Sequence, residues 1–521
     1  MRNEEKVLDA VVAIVSTGGW AAATHASVSR AAGLSTRPVH DRFADRSALA
    51  VATWRERTGP ALHAALAEVL LSCGLLDSDP LVAAPMAAPA GLIPPMSPAT
   101  AHWQALRVTA EAGFEVSRLA RTRIRTKGGE SVHRTAVHEA ALALASRIDA
   151  LHAAIEATEE ASVALDVEEL RAAGPSATWF TIALTSLARP GPMLRAATEL
   201  LVISEFDDGL ATQIRAQTTA LLLQWCSPSD DDISPSRAAQ RAYVLAVALG
   251  LLAAHHRTGS DTLRLDDEAA TLFGALLLEH QPIDLPAGQA THLATQTPIE
   301  TGDPALDSLL SATLAEVAAR GFDGTTVDSI ARAAGCSDGL VFGRYESKLA
   351  LFLDATRRQQ AIAWRANEDY QAKIAALDGH SIADAVAIRE LQRPEVRTQR
   401  ALYLEQVRLS WHDNTLRDAQ AAEYERFIDE ARDTDLGGLP LDNPAALHMS
   451  IAVGFGLALL PILLPEAWDL PYDVVTVPLA EVTKGVDMTF APSDQTIGAR
   501  SRSGSRSLIV DRTSASDATK F

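Results

Sequence analysis

Three cysteines in 521 residues, Cys73, Cys226 and Cys336, are too few and too far apart to form a CxxC pair or a disulfide framework. Aromatic residues make up only 5% of the chain, while Ala, Leu and Val dominate a hydrophobic fraction of 47%. That balance favours helices over strands, so an all-α protein is expected. Catalytic signatures are missing as well. There is no GxSxG, no P-loop and no HExxH, and the pairs His255-His256 and His133/His138 lack a nearby ligand set, so neither an enzyme nor a metal or other cofactor is expected. The first residues, MRNEEKVLDAVVAIV, carry acids and no basic n-region, which reads as a cytoplasmic start. Basic excess is also absent. The net charge is −20, which argues against nonspecific coating of nucleic acid but says nothing about one small patch.

The charge is unevenly spread. From Trp20 to Arg57 six arginines face three acids, a local +3, whereas from Phe322 to Arg358 five bases and five acids cancel. These two stretches are related: a shift of 302 places Gly19, Thr24, Ser27, Arg30, Ala31, Ala32, Gly33, Ser35, Val39, Arg42 and Ala48 on identical residues without a gap. A weaker echo relates 186–217 to 390–421 at a shift of 204, which implies that the first unit holds 98 more residues, between Leu70 and Pro175. The chain therefore divides into two similar units. Expected boundaries are a divergent head at 1–58, a helical body at 59–280, a linker at 281–302, a second head at 303–362, a second body at 363–490 and a disordered tail at 491–521.

Within the first body, 77–100 is rich in Pro and Ala and is expected to be a loop, and the basic run 118–127 a solvated helix end. The run from Pro444 to Pro465 has no charged residue, yet its flanks are acidic and prolines bracket it. A buried bundle helix is expected there, not a membrane span; 242–256 is its counterpart in the first unit.

Local chemistry in TVDSIARAAGCSDGLVFGRYESK (326–348) spells helix, turn, helix. Thr325 or Thr326 with Asp328 approaches a capping box, Gly335 ends the helix in the left-handed region, and Ser337 is placed to cap a short helix from Asp338 to Tyr345. Small residues Ala331, Ala334 and Gly335 let the two helices cross closely, and Ser347 is placed to cap a third helix at Lys348. The full spacing, G-F-x-x-T-T-x-x-x-I-A-x-x-A-G-x-S-x-G-x-x-F-x-x-Y-x-S-K-x-x-L, resembles the N-terminal domain of TetR-type transcriptional regulators over about 55 residues. The resemblance implies a DNA-binding head followed by an all-α ligand-binding and dimerising body, with a small-molecule effector releasing the operator. By the same resemblance Thr326, Ser337 and Lys348 contact phosphates, while Asp338, Gly339, Leu340, Phe342 and Arg344 face the groove or its walls. Phe342 stands where the family has Tyr.

The first copy, THASVSRAAGLSTRPVHDRFADR (24–46), fits more loosely: Ser29, Arg37, His40 and Arg46 replace the family's Ala, Gly, Tyr and Lys. The corresponding DNA-binding positions are Thr24, Ser35, Thr36, Arg37, Val39, His40, Arg42 and Arg46. Pro38 falls in the first turn of its second helix, where proline is tolerated. This copy reads either as retuned, with Arg37 and Arg42 near the groove, or as a relic helical domain with a basic face.

Two heads on one chain suggest an internal pseudo-dimer, built from helices in 186–226, 236–256, 390–430 and 444–464 and reading two unlike half-sites of a double-stranded operator. An effector pocket is expected among Trp103, Trp179, Phe180 and Trp225 in the first body and Trp364, Tyr403, Trp411 and His412 in the second, most of which are also ordinary core candidates. The alternative is a helical sensor or protein-interaction module that keeps the head fold without binding DNA.

Overall fold

The computed structural model describes residues 3–76, 177–226, 233–254, 265–278, 280–286, 298–422 and 444–485. The loop at 77–100, the run 118–127, Trp103, the four histidines of the two pairs and the C-terminal tail lie outside them. Every regular element among the described residues is helical.

The first unit opens with α1 (Asn3–Ala22), α2 (His25–Ala32), α3 (Thr36–Arg42) and α4 (Arg46–Thr53). A π-helical turn, Trp54–Thr58, joins α4 to α5 (Gly59–Ser72), where Pro60 sits in the first turn. Then come α6 (Ala177–Ala188), α7 (Pro192–Ile203), α8 (Asp208–Ile214), α9 (Ala220–Cys226), α10 (Pro235–Ala253) and α11 (Leu265–Leu277). The second unit comprises α12 (Pro304–Gly324), α13 (Val327–Ala334), α14 (Asp338–Phe342), α15 (Lys348–Asp378), α16 (His380–Gln392), α17 (Arg397–Ser410), α18 (Pro444–Leu463) and α19 (Asp473–Gly485). Here the fourth helix runs unbroken for 31 residues, because nothing like the Trp54–Thr58 turn interrupts it.

The two apolar segments do become bundle helices. α10 is buried over almost its whole length and crosses α18 in close contact. Their crossing is reciprocal. A Cβ added to Gly250 would lie 1.7 Å from the Ala452 carbonyl oxygen, and one added to Gly456 would lie 1.6 Å from that of Ala246. Only glycine lets two backbones approach this closely. Both 250 to 456 and 246 to 452 are steps of 206, two more than the shift of 204 that relates 186–217 to 390–421 in the sequence. Helix caps agree: Asp207 accepts from Leu210 N at 3.0 Å and Asp413 accepts from Leu416 N at 3.1 Å, again 206 apart. α7 and α17 pack beside this crossing, so α7, α10, α17 and α18 meet at the centre of the molecule. Among the described residues no helix is long and apolar enough to cross a membrane.

Core organisation differs between the units. The largest hydrophobic cluster runs continuously from α1, α2 and α4 through both crossing helices, so the N-terminal helices share the central core. The corresponding helices of the second unit have a smaller core of their own, built on Leu309, Leu310, Val317, Ile330, Val341 and Phe352.

Candidate DNA-reading helices and their junction

Residues 24–46 and 326–348 have the same local construction. Thr24 and Thr326 are the N-caps of α2 and α13, each in a reciprocal capping box with the serine three residues on, Ser27 and Ser329. The sequence suggested Asp328 as the reciprocal partner; Asp328 instead pairs with Arg332 one turn on. Both helices end on a left-handed glycine, Gly33 at φ 68° and Gly335 at φ 69°, with nothing within 4 Å of where a Cβ would sit. Ser35 and Ser337 occupy the next N-cap positions, but neither hydroxyl accepts a bond from the helix that follows. Both hydroxyls are thereby left on exposed residues. α14 stops at Phe342, three residues short of the expected Tyr345, because Gly343 and Arg344 form a turn that Tyr345 N closes onto Val341 O. Asp45 and Ser347 then cap α4 and α15, accepting from Ala48 N at 2.8 Å and Ala350 N at 3.1 Å.

On the first of these short helices Thr36, Arg37, His40 and Arg42 are exposed. The Arg37 side chain is 90% exposed and only loosely paired with Asp41 at 3.8 Å, so it is free to reach a ligand. Arg42 is paired with Glu4 at the start of α1, and His40 stacks on His25 with ring centres 4.1 Å apart. Val39 does not belong with them: it is fully buried and fills the core beneath α3. Its counterpart Val341 is 1% exposed, and a period near 3.6 turns both inward while their neighbours face out. On α14 Asp338, Gly339 and Phe342 are exposed, with Phe342 at 60%, and Leu340 is half-buried. Arg344 donates to Asp303 at 2.7 Å, at the start of α12, and this bond, with backbone N–H groups of Leu306 and Ala305, holds the Asp303 carboxyl below the usual carboxylate range.

Lys348 and Arg46 do something the sequence did not suggest. Lys348 Nζ donates to the carbonyls of Phe322 and Thr325, both at 2.7 Å, and lies 4.0 Å from the centre of the Phe322 ring. Burial pulls the ammonium below the usual lysine range, against the opposing charges of Asp323 and Glu405. Arg46 likewise donates to Trp20 O and lies over the Trp20 ring at 4.8 Å. Each cation closes the kink at which its lead helix bends, Gly19 at φ 75° and Gly321 at φ 69°. In this conformation Lys348 spends two of its three donors on backbone carbonyls, whereas Arg46 spends one of its five.

The amide beyond each kink is taken by a buried glutamate. Trp20 N donates to Glu199 on α7 at 3.0 Å, and Phe322 N donates to Glu405 on α17 at 2.7 Å, the donors 302 apart and the glutamates 206 apart. Arg408 joins the two. It donates to Glu199 at 2.9 Å, to Glu405 at 2.7 and 2.8 Å, and to Asp323 at 3.0 Å. His412 Nε2 lies 3.0 Å from the second Glu199 oxygen. Burial works to raise the Glu199 pKa, but the Arg408 charge, His412 and the Trp20 amide more than reverse it, so the carboxyl sits below its ordinary range. Burial also works against the Arg408 charge, and Glu405 and Glu199 overcome it, holding the guanidinium well above its ordinary pKa. The contacts cross between units: Gly19 faces the His412 ring, and Gly321 faces the Phe206 ring at the position 206 earlier.

Residues 309–355 match the model of the family described as bacterial regulatory proteins, tetR family. No curated protein matches the chain. The tetR-family segment begins inside α12 and runs through α13 and α14 into α15, so it covers the short helix with exposed Asp338, Gly339 and Phe342. A tetR-family domain in a chain whose described residues form only helices supports a TetR-type DNA-binding regulator of transcription, and dimerisation is typical of that family. Glu199, Glu405 and Arg408 escaped the sequence reading. The identity of Glu199 with Glu405 appears only at a shift of 206 and is hidden at 204.

Of the aromatic residues expected to line a pocket, Phe180, Trp225, Tyr403, Trp411 and His412 have described side chains. Phe180 and Trp225 are buried in the central core, Phe180 against Phe273 with ring centres 6.1 Å apart, so they are packing residues and not a ligand surface. Trp179 lies on α6 and Trp364 on α15, without described side chains. Tyr403 packs on Phe455 at 5.5 Å. Trp411 and His412 do line a cavity.

Proposed function

We propose that this protein is a sequence-specific transcriptional repressor whose single chain supplies both heads that an ordinary TetR-type dimer takes from two chains. The tetR-family match at 309–355 carries the reading for the second head. For the first head the support is local: the same capping box, left-handed glycine, inward valine and kink-closing cation recur 302 positions earlier. The reciprocal contacts of Gly250 with Ala452 and of Gly456 with Ala246 supply the self-complementary surface that a two-fold dimer needs, here within one polypeptide. The heads are not interchangeable. The first presents Arg37, His40 and Arg42, and the second presents Asp338, Gly339 and Phe342, so the operator has two unlike half-sites. A small-molecule effector acts at the bodies and changes how the heads are held.

Selection of bound sequences from a random duplex pool tests this with purified full-length protein. An asymmetric enriched site, bound by one chain in light scattering, is the expected outcome. A perfect palindrome bound by two chains, each lending one head, would remove the internal pseudo-dimer. Absence of any enriched sequence would favour a sensor or interaction module that has kept the head fold only.

A further inference from the structure

A cavity of about 380 Å³ opens beside the junction, between the end of α1, α7 and the residues that follow α17. Its walls include Val15 and Thr17 from α1, Arg195 and Glu199 from α7, and Trp411, His412 and Arg417. The charges in it are unequal. Glu199 is already neutralised by Arg408 and bonded to His412 and Trp20 N, so it has little left to offer an occupant. The Arg195 side chain makes no hydrogen bond or ion pair among the described residues, and its Nε is buried without a partner. Arg417 Nε is also buried and unpartnered, while one terminal nitrogen donates to Trp411 O at 3.2 Å. Buried guanidinium nitrogens left without acceptors are costly unless something supplies them. Trp411 spends its indole N–H on Ala253 O at 2.9 Å, so it offers the cavity an apolar ring.

The position related by the shifts of 206 and 302 keeps Glu405 and Val317 but lacks both arginines. There Ala401 replaces Arg195, Ala211 replaces Arg417, and Glu205 and Phe206 replace Trp411 and His412. Packing of two similar units therefore does not by itself generate the two arginines. We propose that this cavity binds one small anion per chain, a carboxylate or phosphate gripped by Arg195 and Arg417, with an apolar portion against Val15 and Trp411. Guanidinium groups match either anion through paired N–H donors. The site lies against α1 just before the Gly19 kink, so the occupant sits where α1, α7 and the residues after α17 meet. Its role as the effector site rests on the reading of the protein as an effector-controlled repressor; its existence does not.

Calorimetric titration of the full chain without DNA tests the site. The probes are benzoate and citrate for carboxylates and inorganic phosphate for the other class, against wild type, Arg195→Met, Arg417→Met and an Arg320→Ala control on the exposed face of α12. Binding of one class at a 1:1 ratio, weakened at least about tenfold by each of the first two substitutions and unchanged by the third, is the expected result. Thermal melts of each variant establish that the fold is intact. No binding by any probe, or binding that survives loss of both arginines, would overturn the site. A separate operator-binding measurement with the bound anion then tests the coupling: release of DNA is expected, and unchanged DNA affinity would overturn the effector role while the site stands.

Discussion

Arg408 Nη1 donates to Glu199 Oε1 at 2.9 Å across 209 positions of chain, with both side chains almost wholly buried. Through this pair, and through Glu405, the amides of Trp20 and Phe322 at the two head kinks are tied to one guanidinium. The kinks at Gly19 and Gly321 are thus both bonded to one buried ion-pair network.

Replacing Arg408 by Met leaves Glu199 and Glu405 buried without their counter-charge, and a loss of about 3–5 kcal/mol is expected. The sign of the pH dependence follows. In the wild type the Glu199 pKa is depressed, so its contribution is present above the unfolded carboxylate pKa and is lost as pH falls through the lower folded value. In Arg408→Met burial dominates and raises that pKa, so the variant should lose stability as pH rises through the raised value. Urea denaturation across the acid range distinguishes the two profiles.

Helix propensity alone would make Gly→Ala inside a helix stabilising by about 1 kcal/mol. At Gly250 and Gly456 the opposite is expected, a loss of roughly 1–3 kcal/mol or more, because the added Cβ meets a backbone carbonyl and α10 and α18 must move apart. Gly454, on the same helix as Gly456, has nothing within 4 Å of its Cβ position and serves as the control that should gain stability. Equal effects at all three positions would contradict the crossing.

Val341 and Phe342 are adjacent but face opposite ways. Val341→Ala should cost about 2 kcal/mol, counting lost methyl burial and the space left behind. Phe342→Ala should change stability by no more than about 0.5 kcal/mol while weakening DNA binding. Chemical denaturation paired with fluorescence anisotropy on a selected operator reads both quantities.

Arg37 is the cleanest probe of the first head because its side chain is almost fully exposed. Arg37→Ala should leave stability unchanged within about 0.5 kcal/mol. If the residue touches phosphate, the slope of log affinity against log salt should become shallower by about 1, and if it reads a base, discrimination at one position should relax instead. An unaltered slope and unaltered specificity would exclude Arg37 from the DNA interface.

Local signals were legible in the sequence where the physics is local. The threonine cap at 325–326, the stop at Gly335, the tolerated Pro38 and the helix start at Lys348 all follow from bonds made within a few residues, and the resemblance of 326–348 to tetR-family heads rests on the same short spacings. Inward and outward positions on the short helices were less secure. Val39 entered the set of groove residues by analogy of position, although the turn of α3 directs it to the core.

From its sequence the chain determined the helical character of the described residues, the recurrence of a short pattern at a shift of 302 and the apolar helix at Pro444–Leu463, because composition, periodicity and missing charge are properties of single segments. Tertiary structure alone decided the register of the second half of the repeat, the inward use of Arg46 and Lys348, and the meeting of Glu199, Glu405 and Arg408. Those depend on which backbones approach within a few ångströms across two hundred residues. Glycines at 250 and 456 permit that approach, and no local pattern announces it.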